Sequence, residues 1–242
     1  MKLSRFPKTK LRPGESIDDF MGGRLKLIQF RAGYRFSIDA LLLSQFVTIK
    51  QGDVMVDLGT GSGIIPLVLL LTKPVEYVFG IEIQPELADQ AARNILLNGF
   101  EHKMGVILGD VKNPPLALSS ADVVVCNPPY RPKNSGRINP DRQRAIARHE
   151  MLASLHDILD AASRILRAKG RFAIIYPAVR LVDLFIRMRG FNLEPKRVRI
   201  VYPGMQSEGK LALIEASLGG RGGLKILPPL LGQGDFSMES PV

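Results

Sequence analysis

Short apolar runs alternate along the chain with longer segments in which apolar residues recur at helical spacing. The runs of strand length cover residues 55–59, 77–83, 104–108, 121–126, 171–176, 196–201 and 211–217. Helical spacing is found between them, in residues 64–71, 86–98, 151–168 and 179–189. Strands that alternate with helices predict an α/β fold with a mostly parallel, seven-stranded sheet and helices on both faces. Because no helix separates the last two strands, one strand should run antiparallel, at or near an edge.

The segments outside this alternating pattern divide the chain into three predicted parts. Residues 25–30 and 34–37 predict a small hairpin, and residues 39–46 predict a helix ahead of the first core strand. We therefore expect 1–50 to form a basic arm, hairpin and helix that pack on a core formed by 51–218. Residues 219–242 are rich in Gly and Pro and should form a tail on the surface.

Composition narrows the class of protein. Hydrophobic residues make up 45% and charged residues 23% of the chain, as in ordinary globular proteins. A single cysteine, Cys126, and three scattered histidines exclude an internal disulfide and leave no metal-ligand spacing, which favours a reducing cytoplasm and no metal. The longest apolar stretch is too short to cross a bilayer. The net charge of +10 favours a polyanionic partner, nucleic acid first, although charge alone leaves an anionic membrane open.

A glycine-rich turn follows the first core strand in the sequence Asp57-Leu-Gly59-Thr-Gly61-Ser-Gly63. Ligands of open α/β sheets bind at such a strand-to-helix turn, where free N–H groups favour an anion. The spacing is G-x-G-x-G, whereas dinucleotide sites use G-x-G-x-x-G, so we expect S-adenosylmethionine, with its carboxylate at the turn and its ammonium at Asp57. The remaining alternatives are NAD and a tight turn without a ligand.

Two further acids follow the next two strands. Glu82 ends the second strand, at the spacing of about 20 residues that a ribose-binding acid shows after the glycine turn. Asp110 follows the third strand and can accept a hydrogen bond from an adenine amino group. With Asp57, these residues predict a nucleoside site. The plainer interpretation is that both are solvated carboxylates at strand ends.

The sequence Asn127-Pro128-Pro129-Tyr130 directly follows the fourth strand. An exocyclic or amide nitrogen is a poor nucleophile, and two acceptors aimed at its N–H bonds stabilise the charge that develops during transfer. The Asn127 side-chain oxygen and the Pro128 carbonyl are the predicted acceptors, and Tyr130 offers a face on which a planar base can stack. Asn-Pro-Pro also forms plain turns. Cys126, on an apolar strand, is expected to be a small core residue and not a nucleophile.

Both motifs together resemble those of γ-type amino-methyltransferases, and within them of the bacterial tRNA(Val) adenine N6-methyltransferase family. The resemblance covers nearly the whole chain and includes segments 36–43, 57–63, 80–84, 127–130 and 147–150. It implies a Rossmann-like class I methyltransferase fold and S-adenosylmethionine, released as S-adenosylhomocysteine. The resemblance also implies N6-methylation of the adenosine beside the anticodon of a tRNA. Within the matching motifs it adds four cofactor contacts, Asp39, Thr60, Ile83 and Asn127.

The same four-residue signature occurs in DNA adenine, ribosomal RNA guanine and protein glutamine methyltransferases, so it specifies nitrogen chemistry and not a substrate. Basic residues after the motif favour RNA, and the predicted RNA contacts are Arg131, Lys133, Arg137, Arg142, Arg144 and Arg148. A second basic arm contains Lys2, Arg5, Lys8, Lys10 and Arg12. A glutamine methyltransferase and an RNA-binding module without catalysis remain the alternatives.

Overall fold

An N-terminal hairpin and a mixed sheet with helices on both faces make up the described structure. A computed structural model describes residues 10–32, 37–128 and 153–232. The described strands are β1 (Glu15–Phe20), β2 (Leu25–Phe30), β3 (Val54–Leu58), β4 (Tyr77–Glu82), β5 (Met104–Leu108), β6 (Ala121–Cys126), β7 (Leu166–Pro177), β8 (Leu193–Tyr202), β9 (Leu211–Leu218), β10 (Lys225–Ile226) and β11 (Leu230–Leu231). The helices are α1 (Ile38–Phe46), α2 (Ile64–Thr72), α3 (Pro85–Asn98), α4 (Leu155–Ile165) and α5 (Leu181–Gly190), the last preceded by a 3₁₀ turn, Ala178–Arg180.

The main sheet has the order β10-β8-β9-β7-β6-β3-β4-β5, and β11 also pairs with β8. Strand β9 runs antiparallel to both β7 and β8, whereas the other pairs in this sheet are parallel. The α/β fold class, the seven predicted strands and the antiparallel strand near an edge are therefore confirmed. Two strands of two residues each, β10 and β11, come from the tail and extend the sheet beyond the prediction.

Alternate residues of the central strands enter two separate cores. Val123 and Val125 of β6 join the core that includes α1 and α2, while Val124 and Cys126 join the core that includes α4 and α5. Because β6 is apolar at each of these four positions, it can be buried on both faces, as central strands of parallel sheets are. The helices thus cover both sides of the sheet.

The predicted partner of strand β2 was wrong. β2 pairs with Glu15–Phe20, in the register Glu15↔Phe30 to Phe20↔Leu25. Residues 21–23 close this hairpin with positive φ angles of 53°, 64° and 79°, a conformation that two glycines make accessible. Residues 33–36, most of the predicted partner, lie outside the described residues.

The predicted boundary between the fourth helix and its following strand was also wrong. Helix α4 begins at Leu155, where Ser154 and Asp157 form a reciprocal capping box, and ends at Ile165. Strand β7 begins at once with Leu166, and its pairing with β6 shifts register between Ala121 and Val123. The irregularity includes a left-handed residue at Lys169 (φ 62°), which lies inside the strand, directly after the segment 151–168 that we predicted to be helical.

Two asparagines of α3 bind the outer edge of the hairpin. Asn94 Oδ1 accepts from the Ile28 N–H (2.7 Å), and its Nδ2 donates to the Ile28 carbonyl (3.2 Å). One turn later, Asn98 binds the N–H and carbonyl of Lys26 in the same way (2.9 and 2.8 Å). These side chains satisfy backbone groups of β2 as a neighbouring strand would, and they fix the hairpin on the core.

A buried ion pair adds to this contact. Glu15 of β1 is 3% exposed and accepts from both terminal nitrogens of Arg93 on α3, at 2.7 and 2.5 Å. The bonds from Arg93, together with one from the Arg12 N–H, lower the pKa of Glu15 to about 2. Arg93 also binds Asp89, which in turn accepts from the Arg12 side chain. The network therefore joins the start of β1, and Arg12 just before it, to α3.

Within residues 10–32, 37–128 and 153–232, no helix has the length and apolarity that a bilayer span requires. No group of three or more His, Cys, Asp or Glu side chains in the same residues is arranged to hold a metal ion.

The Glu15→Gln substitution should lower the free energy of unfolding near neutral pH by on the order of 3 kcal/mol, because it breaks a buried pair. A carboxylate with a depressed native pKa contributes stability that is present above the unfolded pKa and lost as pH falls toward the native one. The difference between wild type and variant should therefore shrink as pH falls from about 4.5 toward 2. Urea unfolding at several pH values measures this difference.

The matched control is Glu76→Gln, which breaks the exposed 3.5 Å pair with Lys103. It should change stability by less than about 0.5 kcal/mol at every pH. A Glu15→Gln difference that stays constant down to pH 3 would contradict the role of the Glu15 charge.

Candidate active site at the carboxyl edge of the sheet

The parallel register brings the predicted site segments to one edge. Leu58 pairs with Ile81 on one side and with Cys126 on the other, so the residues that follow β3, β4 and β6 leave the sheet together. Glu82 is level with Leu108, and its carbonyl accepts from the Gly109 N–H at 2.9 Å. The glycine turn, Glu82, the segment with Asp110 and Asn127 therefore lie at the same end of adjacent strands.

Asp57 is fully buried at the end of β3. Its Oδ2 accepts from the Thr60 hydroxyl at 2.7 Å, whereas its Oδ1 is buried and, among the described residues, has no hydrogen-bond partner. Burial raises the pKa of Asp57 to about 7; the Thr60 bond opposes this shift, and the charge of Glu82 adds to it. An unpartnered buried carboxylate oxygen is costly unless a donor or cation reaches it.

Glu82 connects the glycine turn to the segment after β4. It is 1% exposed, and its two oxygens accept from the N–H groups of Gly61 (2.8 Å) and Gln84 (2.9 Å). The carbonyl of the preceding Ile81 accepts from the N–H groups of Gly59 and Thr60 (2.9 and 3.0 Å). Both the side chain and the backbone of β4 thus fix the shape of the turn.

The turn itself requires glycine. Gly59, Gly61 and Gly63 have φ angles of 75°, 57° and 86°, which other residues adopt only with strain. Gly63 is the N-cap of α2, and no side chain caps this helix, so its first N–H groups remain available to an anion. On the neighbouring strand, a Cβ at Gly80 would lie 2.8 Å from Thr60 Cγ2, so a glycine there permits the close approach of the turn.

The other predicted cofactor residues lie around this turn. Asp110 is half-buried, and its Oδ1 accepts from the Lys112 N–H at 2.9 Å. Ile83 is half-buried directly after Glu82. Asp39 lies in the first turn of α1, which packs against α2.

Asn127 and Pro128 follow β6, so Asn127 comes level with Gly59 on the adjacent strand. Cys126 is buried, and its thiol donates to the Leu58 carbonyl at 3.3 Å. Burial raises the pKa of the Cys126 thiol well above its ordinary value, and the charge of Asp57 raises it further, so the thiol stays protonated as a core residue. Pro129, Tyr130 and the six predicted RNA-binding residues between 131 and 148 lie outside the described residues.

The residues present fit the polar groups of S-adenosylmethionine. The unpartnered Asp57 Oδ1 suits an ammonium group, and the uncapped start of α2 suits a carboxylate. The carboxylates of Glu82 and Asp110 retain lone pairs for hydroxyl and amino donors. Asp57 and Glu82 interact electrostatically, and the pKa of Asp57 is raised to about 7. Such a perturbed buried acid also marks a candidate ligand site.

Sequence reasoning missed a residue behind the glycine turn. Asn94 is fully buried, and the Nδ2 group that binds β2 also donates to the Ser62 carbonyl at 2.9 Å. Asn94 therefore joins the turn to Ile28 of the hairpin, which lies 66 residues before Asn94 in sequence. An asparagine on the buried face of an otherwise apolar helix pattern was the available signal, because a buried amide requires partners.

Comparisons with known proteins agree with this geometry. The family described as a methyltransferase domain matches residues 49–198. A tRNA1(Val) (adenine(37)-N6)-methyltransferase of Porphyromonas gingivalis is 35% identical over 206 residues, which are 82% of this chain and 80% of that protein. One from a Flavobacteriaceae bacterium is 28% identical over 62% of each chain. A predicted O-methyltransferase structure from Agrobacterium tumefaciens superposes with a TM-score of 0.66 and 21% identity, over 84% of this chain and 91% of that one.

The raised pKa of Asp57 predicts that S-adenosylmethionine binds more tightly as pH rises toward 7. The ammonium group that we expect at Asp57 requires an ionised carboxylate, so below a pKa of about 7 the ionisation of Asp57 must accompany binding. The dissociation constant should fall by up to about tenfold per pH unit below pH 7, with release of a proton. Calorimetry in buffers of different ionisation enthalpy measures both quantities. Asp57→Asn should bind weakly with little pH dependence; the same pH dependence in this variant would exclude Asp57 as its source.

The Asn94→Ala substitution should weaken S-adenosylmethionine binding by roughly tenfold, since the glycine turn loses a buried hydrogen bond. Asn98→Ala is the matched control, because Asn98 makes the same pair of bonds to β2 but donates its third bond to the Asn94 carbonyl and not to the turn. Both variants should lose similar stability in thermal unfolding, and only Asn94→Ala should change the dissociation constant. Equal weakening in both would mean that Asn94 acts only through the hairpin.

Proposed function

The chain belongs to the tRNA1(Val) (adenine(37)-N6)-methyltransferase family, and from this premise we propose that it methylates N6 of adenosine 37, beside the anticodon of a tRNA. The observation that carries the proposal is the pairing of Leu58 with Cys126, which places Asn127 beside the glycine turn. The residues that would hold the methyl donor and those that would hold the acceptor nitrogen therefore follow adjacent strands at the same edge of the sheet. The reaction takes place in the cytoplasm.

S-adenosylmethionine is the methyl donor, and S-adenosylhomocysteine is released. The chemistry supplied by the bound cofactor is an electrophilic methyl group. Asp57 binds its ammonium group, and the N–H groups at the start of α2 bind its carboxylate. Glu82 accepts from the ribose hydroxyls and Asp110 from the adenine amino group, while Asp39, Gly59, Thr60, Gly61, Gly63, Ile83 and Asn127 complete the contacts.

The acceptor nitrogen is positioned by Asn127 and Pro128. Their side-chain and main-chain oxygens accept from the two N6–H bonds, which favours pyramidal geometry and stabilises the positive charge that develops on nitrogen. Pro129 keeps this backbone stiff, and Tyr130 stacks on the base. The methylated nitrogen carries a positive charge and loses its proton to solvent, so no general base is needed. The protonated, buried Cys126 takes no part in transfer.

The basic segment that follows the motif in sequence contacts the RNA through Arg131, Lys133, Arg137, Arg142, Arg144 and Arg148. An adenosine in a single-stranded anticodon loop has no base pair to break, so its displacement into a pocket costs less energy than displacement from a duplex. Arg12, from the second basic arm, is already hydrogen-bonded to Asp89 in the described structure. We therefore assign RNA binding to the basic segment after the motif in preference to the N-terminal arm.

The direct test uses purified protein, S-adenosylmethionine with a labelled methyl group and a tRNA1(Val) transcript. Mass spectrometry of the nucleosides should detect labelled N6-methyladenosine, and a transcript with guanosine in place of adenosine 37 should remain unlabelled. Label in protein glutamine would favour the alternative enzyme class, and an absence of label in any RNA would refute the proposal.

The Asn127→Ala substitution should lower kcat by about 10²–10³-fold, the usual effect of removing one transition-state hydrogen bond. The dissociation constant for S-adenosylmethionine should change much less. Gln45→Ala, at an exposed position of α1, is the control for the effect of substitution itself and should retain full activity. Single-turnover assays separate these quantities, and full activity of Asn127→Ala would favour a protein that binds RNA without this chemistry.

A further inference from the structure

A cleft with a volume of about 420 Å³ opens beside Pro128. This volume is in the range of small-ligand sites. Among the described residues, the polar side chains that line the cleft are Ser154 and His156 at the start of α4, Tyr176 of β7, and Arg180, Asp183 and Arg187 around the start of α5. The cleft therefore begins at the proposed acceptor site and extends away from the glycine turn.

The register of the sheet explains why these residues meet. Cys126 pairs with Ile174 in the parallel ladder between β6 and β7, so Tyr176 is level with Pro128. The chain then turns through Ala178–Arg180 before α5 begins. Arg180 is thus held at the carboxyl edge of the sheet, one strand beyond the motif that we propose to position the acceptor.

Arg180 differs from most arginines of the described residues, which are paired with a carboxylate. The paired residues are Arg12, Arg93, Arg164, Arg167, Arg171, Arg187, Arg189 and Arg197. Arg180 is half-buried, and its described hydrogen bond is a long one, 3.4 Å from Nη1 to the Tyr176 hydroxyl. The acid in the cleft, Asp183, accepts from Arg187 at 3.0 and 3.1 Å.

Among the described residues, no carboxylate pairs with Arg180. A half-buried guanidinium in such surroundings favours an anionic ligand, and its planar set of donors matches a phosphate. The carboxylate of the cofactor is assigned to the other side of the motif, at the start of α2. The anions that accompany a base displaced into the acceptor site are the phosphates of its own strand. We propose that Arg180 binds a backbone phosphate of the RNA next to the target adenosine, an inference that rests on the proposed function.

The experiment compares Arg180→Ala, Arg180→Lys and Arg189→Ala for binding to an anticodon stem-loop RNA over a range of salt concentrations. Arg189→Ala is the matched control, because it removes the same charge at the other end of α5, where Arg189 is bonded to Glu194. Fluorescence anisotropy gives the dissociation constants, and binding of S-adenosylmethionine is measured in parallel to monitor the integrity of the fold.

Arg180→Ala should weaken RNA binding by roughly tenfold and lower the slope of log K against log salt by about 0.7, the value for one phosphate contact to a single strand. Arg180→Lys should retain the wild-type slope, because it retains the charge. Arg189→Ala should bind RNA like the wild type, and all three variants should bind S-adenosylmethionine normally.

Two results would overturn the assignment of Arg180. One is wild-type affinity and salt slope in Arg180→Ala, and the other is an Arg180→Lys slope equal to that of the alanine variant. Either result leaves RNA methylation by the wild-type protein intact. If the wild-type protein neither binds nor methylates RNA, the proposed function fails instead, so the two failures are distinguishable.

Discussion

The parallel pairing of β3 with β4 and β6 is the constraint on which the rest of this site depends. In a parallel ladder, every strand ends at the same edge, and the residues after the strands converge there although they are far apart in sequence. Asp57 and Glu82 come from adjacent strands, and Asn127 follows the strand on the other side. A shift of one residue in either ladder would turn the Asp57 or Cys126 side chain to the opposite face and separate the turn from the motif.

This convergence places two carboxylates in a buried environment. Glu82 accepts from backbone N–H groups on two sides, which compensates the cost of burying its charge. Within the part of the chain that the structure describes, Asp57 accepts only from the Thr60 hydroxyl, and its other oxygen has no hydrogen-bond partner. Burial is the main cause of the raised pKa of Asp57, and the charge of Glu82 adds to it. A bound cationic group would offset the cost of this buried charge, which is the physical reason for proposing Asp57 as a cofactor residue.

The N-terminal hairpin takes part in the site through α3. The two asparagines of that helix satisfy the open edge of β2, and the Glu15–Arg93 pair fixes β1 beside them. Asn94 extends the contact to the Ser62 carbonyl, so the hairpin, the helix and the glycine turn form one connected network of hydrogen bonds. The segment before the first core strand is therefore more than a cover for the sheet, because one of its backbone contacts is shared with the proposed cofactor site.

The sequence by itself determined the features that depend on local chemistry. Apolar runs gave the core strands, Asn98-Gly99 ended α3, and the order of the glycine turn, the strand-end acids and the Asn-Pro-Pro-Tyr motif predicted the carboxyl edge as the site. Tertiary structure decided what depends on distant partners. The strand Glu15–Phe20 is mostly polar and is defined by its pairing with β2 and by the Glu15–Arg93 ion pair. The start of β7 is set by a register shift against β6. The roles of Asn94 and Arg180 likewise follow from which groups lie beside them, since a hydrogen-bond partner or a missing counter-ion is a property of the folded chain and not of sequence spacing.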